Sequence, residues 1–90
     1  MKVTKVSIRL FDSKRTKAFV TVEIEEGLVL TGLTVVKGKY GMFVSFPQYK
    51  GKDGNYYSYY YATGDFKDKL EAKILKAYEA ESGKAEEDDD

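Results

Sequence analysis

Polar and apolar residues alternate through the first half of the chain, and the phase of that alternation predicts strands. Val6, Ile8 and Leu10 fall on one side of Ser7 and Arg9, as in a half-buried strand. The polar stretch Asp12-Ser13-Lys14-Arg15-Thr16-Lys17 reads as a hairpin loop. Ala18, Val20, Val22 and Ile24 then alternate with Phe19, Thr21, Glu23 and Glu25 as a second strand, and Glu26-Gly27 turns the chain. In the third strand Leu28 and Leu30 share one parity, whereas Leu33 and Val35 share the other. That phase change predicts a β-bulge at Thr31-Gly32, which slips one residue and keeps the apolar face inward. After the turn Gly38-Lys39-Tyr40-Gly41, residues Met42, Val44 and Phe46 form one face of a fourth strand. Pro47 cannot donate to a ladder, so pairing stops there.

Asp53-Gly54 is a hairpin signal, and the run Asn55 to Tyr61 favours strand, with tyrosines at 56, 57, 59, 60 and 61. This run is expected to pair back on the fourth strand, with Tyr57, Tyr59 and Tyr61 on one face, a loosely ordered extension being the alternative. From Asp65 the period becomes helical. Phe66, Leu70, Ile74 and Tyr78 recur every four residues, Ala77 widens the stripe, and Ser82-Gly83 is the expected stop. The order predicts an α+β domain over residues 1–81: an antiparallel sheet of four to five strands followed by one C-terminal helix packed on it. A small sheet with bare edges predicts a homodimer formed by joining or exchanging strands.

Composition changes this picture in three places. The chain has 90 residues and neither cysteine nor histidine. Disulfides, thiol chemistry, the usual zinc sites and the commonest general base are therefore excluded. No apolar run approaches the ~20 residues of a membrane helix, and the start lacks a signal-peptide pattern, so a cytoplasmic location is expected. The formal charge of zero hides a segregation: residues 86–90 are all acidic. The remaining chain sets fifteen basic residues against ten acids, a net of +5. Residues 82–90 read as an acidic disordered tail, either solubilising or competing electrostatically for the basic body. Deleting them is expected to tighten nucleic-acid binding at low salt.

The order of the pieces resembles the SpoVG family, the stage V sporulation protein G or septation proteins of bacteria. The resemblance lies in Met1-Lys2-Val3-Thr4, Leu33-Thr34-Val35-Val36-Lys37-Gly38, Gly41-Met42-Phe43-Val44-Ser45-Phe46-Pro47, Asp53-Gly54 and Lys73-Ile74-Leu75-Lys76-Ala77-Tyr78. It runs from Met1 to about Tyr78. Family members carry a basic pair after the proline and an Ala-His-Pro-Ile-like segment before the helix. Here those places hold Gln48-Tyr49-Lys50 and Tyr59-Tyr60-Tyr61-Ala62-Thr63. The resemblance implies a dimeric regulator that binds DNA or RNA and is linked to sporulation, septum formation and gene expression.

The residues offer little to catalysis. No phosphate-binding glycine loop, paired carboxylates or nucleophile with its base is present. Glu23, Glu25 and Glu26 read as strand surface and turn, not as a metal site. No enzyme activity, cofactor, metal or small-molecule substrate is therefore expected. Cations at chain reversals suit phosphate contact, and tyrosines beside them suit stacking on unpaired bases. The candidate nucleic-acid-binding residues are Lys50, Lys52, Tyr57 and Tyr59, with Lys69, Lys73 and Lys76 along one side of the helix. Lys14, Arg15 and Lys17 read as a solvated loop. The alternative is a protein-interaction module that uses an open sheet edge or the tyrosine face.

Overall fold

The computed structural model describes the backbone of residues 2–88 and the side chains of residues 2–83. Strands β1 (Val3–Leu10), β2 (Thr16–Ile24), β3 (Leu28–Gly38) and β4 (Gly41–Ser45) form one antiparallel meander in the order β1-β2-β3-β4. Strands β5 (Gln48–Lys50) and β6 (Tyr56–Ser58) form a separate two-stranded ribbon, and helix α1 (Gly64–Asp88) closes the chain. The arrangement is α+β.

The alternation places the core as the sequence implies. Ala18, Val20, Val22 and Ile24 of β2 are buried, with Leu33 and Val35 of β3 and Val44 of β4 beside them. Leu70 and Ile74 of α1 complete the cluster, and Phe66, Leu75 and Tyr78 pack against it. The helix therefore covers one face of the sheet with its four-residue stripe. The opposite face carries Ser7, Arg9, Phe19, Thr21, Thr34 and Phe43, and no element lies over it among the described residues.

The phase change in β3 is a bulge. Val20 pairs with Leu33 but Val22 pairs with Leu30, so Thr31 and Gly32 stand opposite Thr21 alone. Gly32 takes a positive φ of 84°, and a Cβ there would lie 3.2 Å from that of Pro47. A second irregularity lies in β1 between Val3 and Lys5. It brings Val3 onto the same side as Val6 and Ile8, and all three pack on the core.

Three expectations need correction. The tyrosine run does not extend the main sheet: β6 pairs with β5 instead. Pro47 separates β4 from β5, and its carbonyl accepts from the Tyr59 N–H, which turns the chain away from the β4 edge. Leu10 shares the parity of Val6 and Ile8 yet is 40% exposed, because β1 ends beyond the reach of the helix. The helix does not stop at Ser82-Gly83 but continues to Asp88. One glycine inside a helix costs only about 1 kcal/mol, too little to end an established one. Residues 89–90 of the acidic segment lie outside the described residues. Among the described residues no helix is long and apolar enough to cross a membrane.

Candidate nucleic-acid interface

The ribbon is built by its turn. The Gly54 N–H donates to the Gly51 carbonyl (3.0 Å) and the Gly51 N–H to the Asn55 carbonyl (2.8 Å), with Gly54 at φ +86°. The left-handed glycine fits the reversal to the twist of the strands. Asp53 fastens it from inside. Its carboxylate accepts from the Asn55 N–H at 3.0 Å and from the Tyr57 hydroxyl at 2.5 Å. These donors, the Tyr57 hydroxyl foremost, hold the Asp53 carboxyl below its usual range.

Lys50 and Lys52, at the β5 end and in the turn, are exposed. Beside them three tyrosine rings pack together. Tyr49 lies 5.8 Å from Tyr57 at 30° and 4.9 Å from Tyr59 at 47°. The structure thus groups Lys50, Lys52, Tyr57 and Tyr59 on one ribbon, as the sequence implies, and adds Tyr49, which periodicity alone did not select. Tyr57 is partly committed: one ring edge occupies the space beside Gly51, where a Cβ would come within 2.7 Å of it, and its hydroxyl is held by Asp53. Tyr59 presents the more open ring. Tyr60 points the other way, its ring 5.9 Å from Phe46 and its hydroxyl donating to the Thr31 carbonyl at 2.7 Å. Partial burial pushes its hydroxyl pKa up.

The helix lysines lie elsewhere. Lys73 and Lys76 border a groove of about 360 Å³ between α1 and β1, floored by Val3, Val6 and Ala77. Lys69 and Lys73 border its continuation with Lys2. They therefore follow the β1 edge, on a different element from the ribbon. Lys67 pairs with Glu71 one turn on (3.5 Å), and Lys5 with Glu23 across strands (4.0 Å). The glutamates at the Glu25-Glu26 turn do not converge with others: among the described residues no group of three or more carboxylates is placed to hold a metal.

A further grouping has no counterpart in the sequence pattern. The Lys37 N–H donates to the Arg15 carbonyl at 2.8 Å, so the basic β1–β2 loop and the basic β3–β4 turn stand side by side. The signal was available in the up-and-down strand order, which returns both reversals to the same end of the sheet.

The family model for SpoVG matches residues 1–80. The chain is 38% identical over 82 residues to the "Putative septation protein SpoVG" of Symbiobacterium thermophilum, covering 89% of this chain and 59% of that protein. It is 33% identical over 76 residues to the protein of that name from Archaeoglobus fulgidus, covering 80% and 89%. With that of Caldanaerobacter subterraneus it shares 33% identity over 81 residues, covering 88% and 89%. The chain thus spans less than two thirds of the Symbiobacterium relative and most of the other two.

Proposed function

This chain belongs to the SpoVG family, and from that premise we propose that it is a non-catalytic regulator that binds DNA or RNA. The names of its relatives link the family to septation, and the same link to septum formation and sporulation is proposed here. The supporting observation is the ribbon, which sets Lys50 and Lys52 beside the packed rings of Tyr49, Tyr57 and Tyr59. Lysines on a turn neutralise phosphates without reading sequence, and an open ring such as Tyr59 offers a stacking surface to an unpaired base. The lysines along α1 supply a second phosphate-contacting strip. Only Arg9 and Arg15 are arginines. Bidentate guanine readout is accordingly limited, and weak sequence preference follows.

The test is charge reversal on the ribbon. Lys50→Glu with Lys52→Glu should weaken binding to all sequences alike. It should also flatten the dependence of affinity on salt, by about one counterion for each phosphate the ribbon no longer neutralises. Fluorescence anisotropy with labelled oligonucleotides at two ionic strengths measures both. An unaltered affinity and slope would remove the ribbon as the site.

A second reading is a protein-interaction module. A cleft of about 530 Å³ opens between the β2–β3 turn and the start of α1, lined by Ile24, Leu28, Leu30, Phe46, Tyr60 and Phe66. Leu28 at its mouth is 51% exposed. An apolar contact of this kind persists at moderate salt, where phosphate binding collapses, and that difference separates the readings.

A further inference from the structure

The face of the sheet that the helix leaves bare is not a polar surface. Phe11, Phe19 and Phe43 stand on it, 48%, 42% and 40% exposed. Solvated faces of antiparallel sheets ordinarily alternate to polar residues, so three open rings on one such face are unusual. Their placement is defined by neighbours. Phe11 meets Phe19 edge to face at 5.0 Å and 67°. The Phe43 ring lies over Gly38, where any Cβ would come within 2.7 Å of it. Phe19 is flanked in register by Arg9 on β1 and Thr34 on β3, and Thr34 by Ser45 on β4.

The charge around these rings has one sign. At the end of the sheet where Phe11 and Phe43 lie, the β1–β2 loop contributes Lys14 and Arg15 and the β3–β4 turn contributes Lys39. Lys17 at the start of β2 instead donates to the Ser13 carbonyl at 2.6 Å, and Lys37 at the end of β3 has the parity of the core residue Val35, toward the helix side. Asp12 is the one acid in these two connections. The other acid on the face, Glu23, sits at the far end and is already paired with Lys5. The contact between Lys37 and Arg15 joins the two basic reversals into one rim.

We propose that this bare face, with Phe19 and Phe43 as stacking platforms and the Arg15–Lys39 rim as phosphate contact, is a binding site for single-stranded nucleic acid. The proposal rests on the nucleic-acid reading above and assigns it a site that differs from the ribbon and the helix. Charge complementarity selects the occupant: a cationic rim around flat apolar rings suits an anionic chain that carries planar bases. The bases must be unpaired, because those of a duplex are already stacked and cannot reach a ring that lies on a sheet. Phe19 and Phe43 are separated by one strand and offset by two residues in register, roughly 12 Å at ordinary strand spacing. That spacing lets successive or alternate bases rest on separate rings. Arg9 beside Phe19 adds a planar cation to the same row, and the hydroxyls of Thr34 and Ser45 lie within it for base edges.

The test is an amide-resolved NMR titration of the full chain with a polyuridine or polythymidine strand of about twelve nucleotides, with the matching duplex for comparison. Shifts should concentrate on Phe19, Thr34, Phe43 and Arg15, and the single strand should bind more tightly than the duplex. The double variant Phe19→Leu, Phe43→Leu keeps apolar area on the face but removes the rings, and should lose about tenfold or more in affinity with spectral dispersion intact. The variant Phe19→Thr, Phe43→Thr should lose as much, and two independent replacements guard against a folding defect in either. If the native chain binds while both ring variants bind equally well and shifts stay on residues 49–59, the sheet face is not the site and the ribbon reading stands. If the native chain binds neither strand nor duplex at low salt, the nucleic-acid reading falls and this site with it.

Discussion

At Gly32 the backbone is left-handed, with φ at +84°, and a Cβ would stand 3.2 Å from the Cβ of Pro47. The residue is therefore constrained twice, by conformation and by space. Gly54 shares the first constraint without the second, since its φ is +86° and nothing lies within 4 Å of its would-be Cβ. Comparing the two isolates the contact. Gly54→Ala should cost about 1 kcal/mol, the ordinary penalty for a left-handed residue with a Cβ. Gly32→Ala should cost more, about 2–3 kcal/mol, because the bulge must also shift against the proline that starts the ribbon. Urea unfolding with unchanged slope measures both, and equal losses would show that the Pro47 contact yields freely. The bulge itself was legible, because an apolar face that changes parity within one strand has few other solutions. The partner of Gly32 was not legible: no local pattern tells that a proline fifteen residues on will settle over a bulge glycine.

At the level of elements the four main strands and the helix were readable, because each buries one face against a single layer and its period changes only where a bulge resets it. The ribbon was misread for the same reason. Its tyrosines favour strand wherever they lie, and propensity does not say which strand they will join. The decision falls to Pro47, which ends the β4 ladder and sends Tyr49 and Tyr57 to pack on each other. With the ribbon turned aside, both edges of the main sheet stay open, and they are not equally protected. β1 carries Lys5 and Arg9 and an irregular register, devices that discourage edge pairing. β4, Gly41-Met42-Phe43-Val44-Ser45, has no charge at all. The homodimer proposed for this family member is thus expected to join through β4. Light scattering at micromolar concentration should give twice the mass of one chain, and Met42→Lys, at a position already 38% exposed, should shift the mass toward one chain. A native protein that runs at the mass of one chain would end the dimer proposal. A dimer untouched by Met42→Lys would move it to another edge.

Across the whole molecule the charge is divided, with five acids in residues 86–90 and a net +5 on the remainder. The helix sharpens this division, because it carries Glu86, Glu87 and Asp88 to its own C-terminal end, where the backbone dipole is already negative and acids are disfavoured. Cations relieve that repulsion, and the chain has them on the ribbon, along α1 beside β1 and on the β1–β2 and β3–β4 rim. Five acids on the same chain lower the electrostatic potential at these cations and so weaken their hold on phosphate. Removing those acids should therefore strengthen binding where electrostatics act over distance and change little where salt screens them. The informative deletion is residues 86–90, since a cut at 82 would also shorten the helix. At low ionic strength the truncated chain should bind a labelled oligonucleotide about three- to tenfold more tightly than the full chain, and the two curves should converge as salt rises and the screening length falls below about 10 Å. A constant ratio at all salt concentrations would indicate a steric effect in place of a charge effect. Identical affinities at low salt would leave the acidic residues only the task of keeping a chain with open sheet edges and exposed rings in solution.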